Sequence, residues 1–146
     1  MMRYRFIDHV TLLSLDDTPR IEVAKTFDPR DDAFSGPAGA GQVPESLLLE
    51  LMAMTGGHLV FRHLGESRLP LLLKVPECRF EAAASPGVRL RAVAALGGGA
   101  AVAEGADVVE AATEVWMGGA RVAAGTLLYL CVNVPGVDLA AHGGRL

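Results

Sequence analysis

Residues 44–65 constrain this chain more than any other stretch. Leu47, Leu48, Leu49, Leu51, Met52, Met54, Leu59, Val60 and Phe61 fall on every side of a helix drawn through them. A helix that is apolar all round has to be enclosed by protein. Its start is marked by Pro44, whose missing N–H has no partner to lose at a first helical position. Glu45 follows and complements the positive end of the helix dipole, while Arg62 and His63 suit the negative end and Gly65 can terminate it. Gly56-Gly57 costs about 1 kcal/mol per glycine in helix propensity. Close approach of the helix to a sheet would offset that cost. The expectation is one long central helix from about Pro44 to Leu64.

The remainder reads as strand and turn. Tyr4 to Leu15 is apolar with single polar interruptions, and Asp16-Asp17-Thr18-Pro19 marks a turn. Ile21, Val23, Lys25 and Phe27 alternate with Glu22, Ala24 and Thr26, a period-two strand pattern. Asp28 to Gly41 holds acids, Pro and Gly and reads as a loop. After the helix come Leu71 to Phe80, a turn at Ser85-Pro86-Gly87, a strand from Val88 to Ala94 and a turn at Gly97-Gly98-Gly99. Val108 to Met117, a hairpin at Gly118-Gly119 and Arg121 to Val132 complete the order. This predicts an α+β fold, one antiparallel sheet of about six strands wrapped around one helix, since that arrangement buries both elements. Residues 1–134 form the domain, and 135–146 read as a small, polar, flexible tail.

The 146 residues suit one domain with one core. Hydrophobic residues make up 51% and charged residues 21%. That is more apolar than a lone small domain needs, so part of the surface is expected to be buried in a partner subunit. The net charge of −4 and the absence of a Lys/Arg cluster give no nucleic-acid footprint. The N-terminus has no apolar leader pattern, and Val122 to Val137 is too short and too broken by Gly, Asn and Pro to span a bilayer. A cytoplasmic protein without membrane insertion is the expectation, with Cys78 and Cys131 as reduced core residues. Four scattered His and two scattered Cys have no metal-ligand spacing, so neither metal nor cofactor is expected. The glycines from Gly36 to Gly41 have P-loop spacing but lead into Gln42-Val43 rather than Lys and Ser/Thr. There is no G-x-S-x-G elbow.

Phe34-Ser35-Gly36-Pro37-Ala38-Gly39-Ala40-Gly41-Gln42-Val43-Pro44-Glu45-Ser46-Leu47-Leu48-Leu49-Glu50-Leu51-Met52-Ala53 resembles the signature of bacterial 3-hydroxyacyl-acyl-carrier-protein dehydratases, F-x-G-H-F-P-x-x-P-x-x-P-G-x-L-x-x-E-A-x-A-Q. The opening Arg3-Tyr4-Arg5-Phe6-Ile7-Asp8 is similar to that family's start, and Cys78-Arg79-Phe80 with Ser85-Pro86-Gly87 is similar to its A-R-F…P-G segment. The resemblance implies a hotdog fold, a site lying between two subunits, and an acyl chain on acyl carrier protein or coenzyme A as ligand. It implies Glu50 as the candidate catalytic carboxylate and Phe34, Gly36, Pro37, Val43, Pro44, Leu47 and Met54 as candidate substrate contacts. The departures are as informative as the matches. The family's catalytic histidine falls on Gly36, or on Pro37 with a one-residue gap. Ala38 and Gly41 replace two prolines, Glu45 the glycine before the helix, and Met54 the glutamine after the carboxylate.

Dehydration of a 3-hydroxyacyl thioester needs a base at C2, an acid for the leaving hydroxyl, and donors to the thioester carbonyl. Glu50 can fill one proton-transfer role, but no imidazole stands at the place of the other. His58 lies eight residues further, about 12 Å along the helix. His9, His63 and His142 have no signal placing them closer, and His58 reads as a packed or dimer-contact histidine. The resemblance therefore implies an acyl-thioester-binding, catalytically degenerate subunit, as a homodimer or paired with a histidine-bearing relative. Two alternatives stay open: a hotdog thioesterase using Glu50 to activate water, or a dehydratase or isomerase with a relocated acid. On any of these, Glu50 is expected at the wall of an apolar tunnel at the dimer interface.

Overall fold

The computed structural model describes residues 7–30 and 41–133. Six strands and one helix follow in the order β1 (His9–Ser14), β2 (Arg20–Lys25), α1 (Glu45–His63), β3 (Leu69–Phe80), β4 (Leu90–Ala103), β5 (Ala106–Met117) and β6 (Ala120–Val132). All the strands join one antiparallel sheet, in spatial order β1-β2-β4-β5-β6-β3. This is the single sheet with one helix that the sequence leads one to expect. Alternation decides which side of each strand turns inward. Ile21 and Val23 on β2, Leu90, Ala92 and Ala94 on β4, Ala111 and Val115 on β5, and Leu127, Tyr129 and Cys131 on β6 are buried. Their neighbours Arg20, Arg91 and Ala112 are exposed. Helix α1 lies on that inner face and packs against β2, β3, β4, β5 and β6.

The helix is 19 residues long, within about a residue of the expected ends. It is not enclosed on all sides, contrary to the reading of its sequence. Leu48, Leu51, Met52, Thr55, Gly56 and Leu59 form the buried arc, whereas Ser46 and Glu50 are exposed and Leu47, Ala53, Met54 and Gly57 only half-buried. One side of an apolar helix is thus left open in the single chain. The Gly56-Gly57 pair has the expected cause. A Cβ on Gly56 would sit 2.5 Å from the Tyr129 Oη, and that hydroxyl donates a 2.7 Å hydrogen bond to the Ala53 carbonyl oxygen. The β6 strand therefore touches helix backbone directly.

Two strand boundaries differ from expectation. Gly97-Gly98-Gly99 is not a turn. It runs inside β4, and the pairing register with β5 shifts between Leu96 and Gly99. Glycines in a strand interior mark a bulge as readily as a turn. The reversal comes at Glu104-Gly105, where Gly105 adopts φ +75°, the left-handed conformation a tight hairpin requires. The first strand is confined to His9–Ser14, the part of the expected Tyr4–Leu15 run that pairs with β2. Phe34, Gly36, Pro37 and the tail 135–146 lie outside the described residues.

Candidate functional site

The open side of α1 is where the candidate residues gather. Val43 is buried, and its N–H bonds the Ala84 carbonyl at 2.8 Å, which pins the chain entering the helix. Pro44 takes an extended conformation (φ −56°, ψ 144°), and its carbonyl accepts from Leu47 and Leu48 N–H. The N–H groups of Glu45 and Ser46 belong to the first turn and have no intrahelical acceptor. Beside this start lies a hollow of about 200 Å³ walled by Val43, Glu45, Leu48, Phe80 and Ala84. One and a half turns on, Glu50 projects from the open side between half-buried Leu47 and Met54. The structure thus brings Val43, Pro44, Leu47, Glu50 and Met54 onto one end and one side of the helix. Glu50 is exposed in the single chain, so a tunnel wall there needs a second subunit to close it.

Among the described residues no imidazole joins Glu50. His58 is buried at 7% exposure, on the inner side of α1, and its Nδ1 has no hydrogen-bond partner among the described residues. Burial, helped by the nearby Arg62, holds it below its usual value near 6.5 despite the opposing charge of Glu66. It is a neutral, packed histidine. His63 and His9 are exposed, at the end of the helix and the start of β1. Cys131 is buried as expected, and burial raises its thiol to about 11. Cys78 is half-buried, raised first by burial and then by the charge of Glu45. Neither thiol is set up as a nucleophile. The described residues hold no cluster of His, Cys, Asp and Glu able to bind a metal, and no helix among them is long and apolar enough to cross a membrane.

A larger depression, about 510 Å³, lies on the opposite face of the sheet. Its lining includes Arg20, Glu22, Glu77, Arg79, Trp116 and Arg121. It is separated from Glu50 by the whole sheet and shares no residue with the helix. Nothing in the linear sequence groups these residues. They meet only when five strands are read across their register.

No protein-family model and no curated protein sequence matches this chain. Solved structures do. A candidate thioesterase, yhdA from Lactococcus lactis, superposes with a TM-score of 0.71 at 10% identity, covering 88% of this chain and 94% of that one. The fold is the hotdog fold. A hypothetical thioesterase from Streptococcus pneumoniae, solved with coenzyme A, matches with a TM-score of 0.64 at 11% identity over 86% of this chain and 85% of that one. The thioesterase HI1161 from Haemophilus influenzae matches with a TM-score of 0.61 at 11% identity over 86% and 78%. At such identities the likeness is one of fold, and function has to be argued from the site.

Proposed function

We propose that this chain binds an acyl thioester, on coenzyme A or acyl carrier protein, along the open side of α1, and that Glu50 activates water to hydrolyse it. The observation carrying this reading is a lone carboxylate. Glu50 stands exposed between Leu47 and Met54, while the one buried imidazole of the helix, His58, is about 12 Å further along and on the inner side. Hydrolysis needs one base and carbonyl donors, whereas dehydration needs a second proton-transfer group. Glu50 would take a proton from water as the oxygen attacks the thioester carbon. The N–H groups of Glu45 and Ser46 at the helix start would stabilise the oxyanion. The C–S bond then breaks, the sulfur takes up the proton, and a carboxylic acid and a thiol leave. The structural likeness to thioesterases, one of them holding coenzyme A, supports the same ligand class. Phe34, Gly36 and Pro37 precede the helix in sequence and are proposed as further contacts, with a second hotdog subunit roofing the open helix side.

A second reading, a binding-only subunit partnered by a histidine-bearing relative, is favoured by Gly36 or Pro37 at the family's histidine position. Thiol release from medium-chain acyl-coenzyme A separates the two. Hydrolysis predicts turnover that Glu50→Gln lowers by about 10²–10⁴-fold with binding retained. Met54→Trp should block binding by bulk with the fold intact. Binding without turnover in the wild type leaves the second reading. Equal affinity of wild type and Met54→Trp, both folded, places the ligand elsewhere.

A further inference from the structure

Tyr129 forbids a side chain at Gly56 but not at Gly57. A Cβ on Gly57 would meet, among the described residues, only the Tyr129 ring, at 3.5 Å, an ordinary contact distance. Its φ is negative, as any helical residue's is. Neither space nor backbone conformation therefore keeps a side chain off Gly57, although a glycine in mid-helix costs about 1 kcal/mol against alanine. Its place in the helix gives the empty space a use. Residues three, four and seven apart share a helix face, so Ala53, Met54 and Gly57 continue the open side beyond Glu50, and all three are half-buried. Gly57 makes a notch in that line. The line closes one turn later. Phe61, four residues after Gly57, is only 4% exposed, and its neighbours His58, Leu59 and Val60 are buried.

We propose that Gly57 sets the length of the acyl group: the end of the acyl chain lies in the notch over Gly57, and the covered turn at Phe61 stops it. This rests on the reading of the open side of α1 as an acyl-thioester site with Glu50 beside the thioester carbon. With the carbonyl held between the helix start and Glu50, the thiol portion leaves past the first turn. The acyl chain then runs the other way, over Ala53 and Met54. Gly57 lies about 10 Å beyond Glu50 along the helix axis, and an extended acyl chain advances about 1.3 Å per carbon, so roughly eight carbons reach the notch. The side chains along this line carry no charge and no hydrogen-bond donor, which suits a saturated tail without a polar end. The ligand class is therefore a medium-chain, unsubstituted acyl thioester.

The test compares wild type, Gly57→Ala and Gly57→Leu on butyryl-, octanoyl- and lauroyl-coenzyme A, reading both binding and thiol release. The wild type should favour octanoyl over lauroyl. Gly57→Leu fills the notch and should weaken octanoyl binding at least roughly tenfold while leaving butyryl within about twofold, since each methylene kept from apolar contact costs several-fold in affinity. Gly57→Ala should fall between. Alanine and leucine are better helix formers than glycine, so neither variant should melt below the wild type. The sedimented mass should not change. An octanoyl-to-butyryl ratio that Gly57→Leu leaves unaltered overturns the proposal, as does a wild type that favours lauroyl. A Gly57→Leu chain that loses its partner subunit also overturns it, because the notch would then hold a side chain of the second copy. Glu50→Gln separates this failure from that of the reading beneath it. If Glu50→Gln abolishes turnover of every acyl group while Gly57→Leu leaves the preference unchanged, the hydrolytic reading stands and the length assignment falls. If none of the three thioesters binds the wild type, both fall.

Discussion

His58 shows what a single residue contributes and what it costs. Burial removes water from its imidazole and leaves Nδ1 without a partner, which disfavours the charged form. The folded-state value lies below the unfolded one, so the unfolded chain binds the proton more readily. Stability linked to His58 is fully present above about pH 6.5 and is lost as the pH falls below it towards the lowered folded value. His58→Leu puts an apolar side chain of similar reach in its place and removes the titration. Urea unfolding of the two proteins should match near neutrality or favour the variant, and the wild type should lose ground below about pH 6.5. Parallel pH profiles would show that folding does not shift the titration of His58. The packing of His58 was legible from its place on an apolar helix. The orientation of Glu50 was not, because an apolar sequence on every side of α1 hides which side the sheet covers.

At the scale of elements, the contact between β6 and α1 is the tightest constraint on the site. Tyr129 is buried, its hydroxyl donates to the Ala53 carbonyl, and the Gly57 N–H lies against the phenolic oxygen. Burial raises the phenol well above its usual value and outweighs the lowering by Gly57. Tyr129 is thus a structural anchor, set one turn beyond Glu50 on the helix. Gly56→Ala puts a Cβ 2.5 Å from Tyr129 Oη and should cost about 1–3 kcal/mol of stability, as overpacking does. Tyr129→Phe should cost about 1–2 kcal/mol for the lost hydrogen bond. The double variant should be more stable than the sum implies, because removing the hydroxyl removes the main clash. Strictly additive values in chemical unfolding would mean that the two side chains do not meet. The glycine pair signalled close approach in the sequence, but the tyrosine that makes it lies some 70 residues away and carries no local mark. The Gly97–Gly99 run shows the reverse, a strong local turn signal overridden because β5 offers a strand to pair with, while the less conspicuous Glu104-Gly105 makes the turn.

At the scale of the whole molecule, the apolar surplus of the composition points to β3. Among the described residues this strand ends the sheet, and one side of its backbone has no partner strand there. Leu71, Leu72 and Leu73 are exposed at 45%, 45% and 55% along it, a run that isolated edge strands avoid by carrying charge. Pro70 and Pro76 bracket the run, and the register with β6 shifts twice between Leu72 and Glu77, devices that limit how far a neighbour can pair. A second copy joined along Leu71–Val75 would extend the sheet, cover the leucines and bring another subunit towards the open side of α1. Replacing both Leu71 and Leu73 by Asp should therefore give a monomer with unchanged circular dichroism, weakening this association by at least about a hundredfold, since two buried anions on each copy would face one another. The equally exposed Val102, near the tip of the β4–β5 hairpin, is the control, and Val102→Asp should leave the mass unchanged. Acyl-thioester binding should disappear with the edge pairing if the site needs its second subunit. A Leu71→Asp/Leu73→Asp monomer that still binds at wild-type affinity would show that a single copy of α1 and the segment before it make the whole site.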